Sequence, residues 1–223
     1  MKVIARIRNA YEEKFGIPRQ SGLAEDVVSA VVFEPEFRVD EALRGIDDFS
    51  HLWLLWGFDR TERETWSPTV RPPRLGGNRR VGVFATRSPF RPNAIGLSCV
   101  RLLGLEKTPE GTVLKVAGAD LMNGTPIYDI KPYLPYADCR PEATGGFTDT
   151  SEKRRVQVVI PEETGKGLSE TEKKALEAVL REDPRPAYQN DPDRVYGFRF
   201  GGRNIRFRVA DGVLTVLETG GKE

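Results

Sequence analysis

The sequence predicts a mainly β protein in which an antiparallel sheet or barrel precedes a small α+β unit. Three observations lead to this fold class. The first two-thirds of the 223 residues consists of short apolar segments separated by turn-forming clusters. These segments do not alternate with helices, as they would in a doubly wound α/β fold. Beyond residue 140, a polar stretch is followed by further strand patterns and one clear helix.

Seven strands and one helix are predicted in the N-terminal part. The strand candidates span residues 1–8, 27–33, 52–58, 81–86, 95–103, 112–117 and 125–131. In the first of them Val3, Ala5 and Ile7 share one face, which is typical of a half-buried strand. Residues 39–45 are predicted to be helical, because Asp40 can cap the first turn and Gly45 can end the last. No Gly-x-Gly-x-x-Gly follows a predicted strand, so the dinucleotide-binding fingerprint is absent.

The C-terminal part is predicted to be a separate small α+β domain. Residues 140–154 are polar and rich in Gly, Thr and Pro, and we interpret them as a linker. The domains would then span residues 1–139 and 155–223. Ser169 and Glu172 form a capping-box pattern at the start of a helix that is expected to end at Asp183-Pro184. Strands are expected at residues 155–160, 195–200, 205–209 and 213–217.

Composition indicates a globular protein without a membrane anchor, a metal or a disulfide. The longest apolar stretch, residues 52–58, is far shorter than the roughly 20 residues of a membrane helix, and the N-terminus has no apolar signal core. Cys99 and Cys139 are the only cysteines and His51 is the only histidine, so no ordinary zinc site or disulfide framework can form. We therefore expect a cytoplasmic protein with reduced thiols and no structural metal.

Basic residues are concentrated in one segment. Between residues 65 and 105 there are seven arginines and no acidic residue, whereas the whole chain has a formal net charge of +1. The arginines are Arg71, Arg74, Arg79, Arg80, Arg87, Arg91 and Arg101. The planar guanidinium group pairs well with phosphate and carboxylate, so the segment favours an anion-binding surface. The alternative is a solvated basic face whose charges pair with acids elsewhere in the fold.

A predicted hairpin near the C-terminus combines basic and aromatic residues. They are Arg199, Arg203, Arg206 and Arg208, interleaved with Phe198, Phe200 and Phe207. Such a surface could stack on bases and pair with phosphates. The alternative is a small hydrophobic core with a charged outer face. On the nucleic-acid interpretation, the RNA-binding residues would be Arg71, Arg74, Arg79, Arg91, Arg199 and Arg206.

Several long and unusual words of sequence occur along the chain. They are residues 15–20 (FGIPRQ), 49–53 (FSHLW), 71–78 (RPPRLGGN), 82–98 (GVFATRSPFRPNAIGLS) and 123–136 (NGTPIYDIKPYLPY). Together they resemble the TrmO (YaeB, TsaA-like) family of tRNA methyltransferases over roughly residues 1–137. Residues 183–188 (DPRPAY) also resemble the C-terminal part of its bacterial members.

The resemblance implies a single-sheet antiparallel β-barrel, a homodimer and S-adenosylmethionine as methyl donor, with S-adenosylhomocysteine as product. It also implies the acceptor, which is the N6 nitrogen of threonylcarbamoyl-adenosine next to the anticodon in tRNA. Threonine tRNA is the expected substrate. The macromolecular partner would therefore be a tRNA anticodon loop.

The same resemblance assigns residues to donor binding. They are Pro18, Arg19, Gln20, Asp59, Arg60, Arg87, Leu97, Ala117, Gly118, Ala119 and Asp120. Asp59 or Asp120 could accept hydrogen bonds from the ribose hydroxyls or the ammonium group, and Arg87 could bind the donor's carboxylate or the RNA backbone. Asp59 and Arg60 depart from the histidine and glutamine of many relatives, and Ala94 replaces a common proline.

Methyl transfer to this acceptor requires loss of its proton, because the nitrogen lone pair is delocalised into the purine and the carbamoyl group. Asp129 and Asp120 are candidate catalytic bases, and Tyr133 or Tyr136 could position the adenine. A simpler explanation of Asp129 is that it ties down a turn. His51 lies in an apolar strand and is interpreted as a structural or pocket residue.

Two other functions are compatible with the sequence. A non-catalytic RNA-binding barrel would hold a tRNA loop with the arginine segment and the hairpin, and it would have no reason to bind S-adenosylmethionine. A methyltransferase of the same type could use the same donor with another acceptor. Donor binding in the absence of RNA separates the first of these from an enzyme.

Overall fold

Eight strands form in the N-terminal part of the computed structural model, which describes residues 1–59, 66–72, 75, 79–150, 155–186, 189 and 191–221. They are β1 (Ala5–Arg8), β2 (Val28–Phe33), β3 (His51–Gly57), β4 (Thr69–Val70), β5 (Val81–Gly82), β6 (Ile95–Thr108), β7 (Gly111–Ala117) and β8 (Pro126–Pro132). Alternating polarity explains them: in β1, Ala5 and Ile7 are buried while Arg6 and Arg8 face solvent.

Six of these strands pair antiparallel in one sheet that closes on itself. Their order is β1-β2-β7-β6-β3-β8, and β8 pairs in turn with β1. The long strand β6 has two partners, since residues 95–101 pair with β3 and residues 101–108 pair with β7. The prediction of a mainly β, antiparallel N-terminal part is confirmed.

The interior of this sheet is filled by side chains that alternate along the strands. Leu52, Leu54 and Trp56 of β3 point inwards, and the neighbouring strand β6 contributes Ser98 and Val100. Ser98 is 0% exposed, so it is a hydroxyl group in an apolar interior. Because a buried hydroxyl needs hydrogen-bond partners, Ser98 marks a place where the core becomes polar.

The predicted strand at residues 81–86 is largely wrong. Only Val81 and Gly82 are extended, and they pair with β4 outside the six-stranded sheet. Residues Val83–Ala85 form a 3₁₀ turn. This turn lets Val83 be buried at 1% exposure while Phe84 points to solvent at 73% exposure.

The predicted helix at residues 39–45 is also corrected, because a 3₁₀ turn spans Asp40–Leu43 and Val39 takes the N-cap position. Asp40 caps nothing. Its carboxylate accepts a hydrogen bond from Thr112 Oγ1 at 2.5 Å and pairs with Lys107 Nζ at 2.5 Å. A tertiary contact with β6 and β7 has therefore replaced the local cap.

The C-terminal part contains a four-stranded sheet and one long helix. Its elements, with the two short helices that precede them, are α1 (Pro135–Asp138), α2 (Phe147–Thr150), β9 (Gln157–Val159), α3 (Glu162–Gly165), α4 (Glu170–Arg181), β10 (Val195–Phe200), β11 (Arg203–Ala210) and β12 (Val213–Thr219). The sheet order is β10-β11-β12-β9, with β9 parallel to β12. Among the described residues, no helix is long and apolar enough to span a bilayer.

The start of α4 confirms the predicted capping box. Ser169 Oγ accepts a hydrogen bond from the backbone N–H of Glu172 at 3.2 Å, and the Glu172 carboxylate accepts one from the backbone N–H of Ser169 at 2.8 Å. The helix ends at Arg181, next to the predicted stop at Asp183. Local capping chemistry thus determined this element.

The phenylalanines of the β10–β11 hairpin belong to the core. Phe198, Phe200 and Phe207 are at most 6% exposed, and they pack in the cluster that includes the buried face of α4. Arg199 and Arg206 lie on the exposed face of the same strands. The base-stacking interpretation of these rings is therefore wrong, and the hairpin is a small core with a charged outer face.

The segment between β1 and β2 packs into the C-terminal core. Tyr11 and Val27 are buried in the same cluster as the phenylalanines of the hairpin. The backbone N–H of Gly201 also donates a hydrogen bond to the carbonyl of Ala10 at 3.0 Å. The predicted domain division, with its linker at residues 140–154, stays a prediction.

Candidate functional site

Three segments that are distant in the sequence meet at one end of the closed sheet. They are the segment around Gln20, the segment around Arg87 and the residues that follow β7, which ends in register with Arg101 of β6. The backbone N–H of Gly22 donates to the carbonyl of Gly118 at 2.8 Å, and Arg87 Nη1 donates to Gln20 Oε1 at 2.5 Å. We refer to Gln20, Arg87 and Asp120 as the rim cluster.

Asp120 is the acidic member of the rim cluster and is held by several donors. Ser98 Oγ donates to Asp120 Oδ1 at 2.5 Å, and the backbone N–H of Ser21 donates to the same carboxylate. The Ser98 hydroxyl in turn accepts a hydrogen bond from Trp56 Nε1 at 2.9 Å. The buried polar group of β6 therefore connects an indole in the core to the carboxylate at the rim.

Burial raises the pKa of the Asp120 carboxyl, because partial removal from water disfavours its charged form. The hydrogen bond from Ser98 and the positive charge of Arg87 both act in the opposite direction. The rise in pKa persists despite them. The rim cluster therefore holds a carboxylate that is more basic than usual beside an exposed guanidinium group.

Tyr11 carries a second buried polar group near Asp120. Its side chain is 1% exposed, and its hydroxyl oxygen has no hydrogen-bond partner among the described residues. Burial and the charge of Asp120 raise the pKa of Tyr11, so the phenol stays protonated at physiological pH. A protonated phenol can donate a hydrogen bond to a ligand but does not act as a base.

Two glycines allow the close approaches on which this end of the sheet depends. Gly118 has a φ of 76°, and a Cβ atom at this position would lie 3.1 Å from Gly22 Cα. At Gly96, a Cβ atom would lie 2.2 Å from the Trp56 ring. A side chain at either position would displace the backbone or the indole that supports Ser98.

Several predicted donor-binding residues surround the rim cluster. Pro18 is buried and Arg19 is exposed, and the Gln20 amide donates to the carbonyl of Arg19. Ala117 and Ala119 are both 1% exposed and flank Gly118 in the segment that leads to Asp120. Pro18, Ala117, Gly118 and Ala119 have no polar side chain, so they can offer a ligand only backbone groups and apolar contact.

Two further donor-binding predictions, Leu97 and Asp59, show no contact with the rim cluster among the described residues. Leu97 is 54% exposed, and its side chain lies on the face of β6 opposite to Ser98. Asp59 is exposed two residues after the end of β3. Arg60 lies outside the described residues.

The predicted catalytic Asp129 lies on the outer face of the sheet. It pairs in register with Leu55, whereas its neighbour Ile130 packs against the core. The Asp129 carboxylate forms an ion pair with Lys131 Nζ at 2.8 Å and accepts a hydrogen bond from the backbone N–H of Ile130 at 3.0 Å. Asp129 and Asp120 are therefore on opposite faces of the sheet and do not form one catalytic group.

Tyr133 belongs to an aromatic group on the same outer face. Its ring centroid lies 6.2 Å from that of His51 and 5.7 Å from that of Trp53. Trp53 Nε1 donates to Asp138 Oδ2 at 2.9 Å, and His51 Nδ1 lies 2.9 Å from Ser50 Oγ. Partial desolvation and the adjacent Cys139 raise the pKa of Tyr133, which makes proton abstraction by this phenol less favourable.

The predicted RNA-binding arginines differ in how they are engaged. Arg71 and Arg79 are exposed, whereas Arg91 Nη1 donates to two backbone carbonyls of its own loop, each at 3.2 Å. Arg199 pairs with a glutamate at 3.1 Å and Arg206 with another at 3.3 Å. Arg74 lies outside the described residues. The exposed guanidinium groups near β4 and β5 are therefore better placed for an anion than those of the hairpin.

Sequence reasoning missed Ser98, Ser21 and Tyr11. A signal existed only for Ser98, which occupies an inward position of an alternating strand in which its neighbours on that face are small or apolar. Tyr11 and Ser21 lie in irregular segments, whose contacts depend on where the chain folds back.

The fold and the rim cluster define a class of protein: a closed antiparallel sheet that has an acidic and a basic side chain near each other at one rim. A family model described as the tRNA-methyltransferase O N-terminal domain matches residues 6–139, and one described as the TrmO C-terminal domain matches residues 153–220. The chain belongs to the tRNA-methyltransferase O family.

Relatives and solved structures agree with this membership over nearly the whole chain. A tRNA (adenine(37)-N6)-methyltransferase of Escherichia coli K12 is 41% identical, covering 96% of this chain and 94% of the relative. A putative S-adenosylmethionine-dependent methyltransferase of Pseudomonas aeruginosa PAO1 is also 41% identical, covering 98% and 96%. The crystal structure of TrmO from Pseudomonas aeruginosa has a TM-score of 0.78 at 34% identity and covers 99% of both chains.

Proposed function

We propose that this protein is an S-adenosylmethionine-dependent methyltransferase that modifies the N6 nitrogen of an adenine in tRNA. The observation that carries the proposal is the convergence of Gln20, Arg87 and Asp120 at one rim of the closed sheet. Family membership supports the reaction class, because one relative that matches nearly the full chain is named a tRNA (adenine(37)-N6)-methyltransferase and another a putative S-adenosylmethionine-dependent methyltransferase.

The more specific proposal concerns the acceptor. We propose that it is threonylcarbamoyl-adenosine next to the anticodon, with threonine tRNA as the substrate and the anticodon loop as the surface that is bound. We also propose that the protein is a cytoplasmic homodimer. The acceptor, the tRNA and the homodimer rest on the family resemblance of the sequence words, two of which contain Gln20 and Arg87, and the location rests on composition.

The residues present fit S-adenosylmethionine in charge and polarity. The amino-acid part of this molecule carries one ammonium and one carboxylate group, and the rim cluster offers Asp120 and Arg87 as complementary partners. The Gln20 amide and the tightly packed backbone at Gly118 suit hydroxyl groups and a flat ring. The buried Tyr11 hydroxyl, which has no partner among the described residues, is a further available donor.

When bound, S-adenosylmethionine supplies an electrophilic methyl group on a positively charged sulfur. The residues of the chain hold and orient the two reactants, and this alignment lowers the barrier to methyl transfer. Asp120 stays in place through Ser98 and Ser21, and Arg87 stays in place through Gln20. The rim cluster therefore needs little reorganisation when a ligand enters.

Removal of the acceptor's proton is a separate task. We propose Asp129 for it, with Tyr133 positioning the adenine. Because Asp129 and Asp120 of one chain lie on opposite faces of the sheet, this role requires Asp129 to reach the acceptor from the second subunit of the proposed homodimer. Lys131 Nζ lies 2.8 Å from the Asp129 carboxylate and can hold it in place on that face. On this division of roles, Asp120 and Arg87 act in donor binding and Asp129 acts in turnover.

Calorimetry with S-adenosylhomocysteine and a methyl-transfer assay on tRNA test these separate roles in donor binding and in turnover. Asp120→Asn and Arg87→Ala should each weaken binding of the nucleoside thioether by about tenfold or more, as loss of a charged partner does. Asp129→Asn should lower kcat and leave this affinity unchanged. Asp47→Asn, at an exposed position of a 3₁₀ turn, is the control and should change neither quantity.

Nucleoside mass spectrometry of tRNA tests the acceptor. Cells that lack the gene should lose the methyl group on threonylcarbamoyl-adenosine, and the purified protein should restore it. Tight thioether binding without any methylated tRNA would favour a different acceptor. RNA binding without thioether binding would favour a non-catalytic barrel and refute the enzyme assignment.

A further inference from the structure

Two aromatic side chains lie side by side on the surface, in the segments that flank β4 and β5. Trp66 is 50% exposed and Phe84 is 73% exposed. Their ring centroids are 6.1 Å apart and their planes are inclined by 33°. Adjacent large rings with this exposure are uncommon on a protein surface and indicate a binding surface. We refer to Trp66 and Phe84 as the aromatic pair.

The aromatic pair is held by a small framework of its own. The short strands β4 and β5, which lie between Trp66 and Phe84 in the sequence, pair with each other. The backbone N–H of Val83 donates a hydrogen bond to the carbonyl of Pro68 at 3.0 Å. Val83 is buried, and Thr86 Oγ1 donates to its carbonyl at 2.8 Å. The turn that buries Val83 is thus the same turn that exposes Phe84, so the ring is oriented by the fold.

The surroundings of the aromatic pair are positively charged. Arg71 follows β4, while Arg79 and Arg80 precede β5, and all three are exposed. Among the residues that the structure describes, neither Arg71 nor Arg79 forms an ion pair. Between residues 65 and 105 the sequence contains no acid, whereas Glu62 and Glu64 precede Trp66 and lie outside the described residues. Exposed guanidinium groups around exposed rings match an unpaired nucleic-acid strand, because phosphates pair with arginine while bases stack on aromatic faces.

The aromatic pair is also close to the rim cluster along the chain. Phe84 precedes Arg87 by three residues, so their Cα atoms are at most about 11 Å apart even in fully extended backbone. Arg87 contacts Gln20 and interacts electrostatically with Asp120. One short segment of the chain therefore carries both Phe84 and the rim residue Arg87.

We propose that Trp66 and Phe84 form a stacking platform for an unpaired base of the RNA acceptor, and that the flanking arginines bind the phosphates on either side of it. The identity of the acceptor as a tRNA loop rests on the proposed function. The stacking itself does not, because any single-stranded RNA loop of suitable size would use the same surface.

The test measures binding of an RNA hairpin with an unpaired loop and, separately, of the matching duplex without a loop. Trp66→Ala and Phe84→Ala should each weaken hairpin binding by about 5- to 100-fold, which is the range for loss of one base-stacking ring. Binding of the duplex and of S-adenosylhomocysteine should stay unchanged. Phe84→Trp should bind the hairpin like the wild type, whereas Phe84→Leu, which keeps an apolar side chain but lacks a π-face, should not.

Three results would overturn the proposal. Phe84→Leu could bind the hairpin as tightly as the wild type, which would mean that apolar contact and not stacking is used. The alanine variants could leave hairpin binding unchanged. Sedimentation could show that Phe84→Ala changes the oligomeric state, which would make the aromatic pair an interface between copies of this chain. If the wild type methylates no tRNA, the proposed function fails. Hairpin binding by the variants still tests whether Trp66 and Phe84 stack on an RNA base.

Discussion

Replacing Ser98 by alanine is expected to disturb both the core and the rim cluster. The substitution removes the acceptor of Trp56 Nε1 and one donor to Asp120, two hydrogen bonds of 2.9 and 2.5 Å. The indole N–H is left in an apolar interior, where an unsatisfied polar group costs about 1–3 kcal/mol. For a chain of this size, each kcal/mol lowers the melting temperature by about 2–4 °C.

Ser29 provides a matched control. It is 1% exposed on β2, but its hydroxyl has no hydrogen-bond partner among the described residues. Ser29→Ala therefore removes a buried hydroxyl without leaving a donor unsatisfied, and it should be neutral or slightly stabilising. Urea denaturation of both variants measures the difference. Equal free energies of unfolding for Ser98→Ala and Ser29→Ala would refute the role of Ser98 as a link between core and rim.

The remaining predictions concern charge and packing. Because burial raises the pKa of Asp120, its contribution to stability is present below the unfolded-state pKa and is lost as pH rises through the folded-state pKa. Asp120→Asn should therefore raise the free energy of unfolding at neutral pH by roughly 0.5–2 kcal/mol, with the gain vanishing in acid, as denaturation at several pH values would reveal. Gly96→Ala places a Cβ atom 2.2 Å from the Trp56 ring and should destabilise by about 1–3 kcal/mol, detectable as a lower melting temperature; an unchanged value would contradict the packing. Arg185→Met leaves the carboxylate of Asp183, which is 5% exposed, without its 2.8 Å ion-pair partner, and should cost about 3–5 kcal/mol; Asp183→Asn in the same background should recover part of the loss.

Local sequence patterns located most of the strands and the long helix. The alternation in β1, β3 and β6 and the capping box at Ser169 are short-range signals, and the structure has the elements that they predict. The two corrected elements of the barrel part failed for a long-range reason. Asp40 bonds across the sheet to Thr112 instead of capping a helix, and Val83 turns into the interior instead of continuing a strand.

The hairpin arginines and phenylalanines illustrate a second limit. Interleaved basic and aromatic residues have the same period whether the rings face a core or a nucleic acid. In the structure these rings belong to the core: Phe207 is 0% exposed and packs in one cluster with α4 and the neighbouring strands. The aromatic pair that is exposed, Trp66 and Phe84, lies instead on a short two-stranded framework that no periodic pattern predicts.

By itself, the sequence determined the mainly β class, the family and the chemical types of the site residues, because these depend on local alternation and on long words that can be read directly. Only the tertiary structure decided which of those residues meet. Closing six strands into one sheet brings Gln20, Arg87 and Asp120 to one rim, while a register shift between Leu55 and Trp56 breaks the period of two along β8 and leaves Asp129 on the outer face. Neither outcome is encoded in any short segment, because strand register and closure set the distances between residues that lie a hundred positions apart.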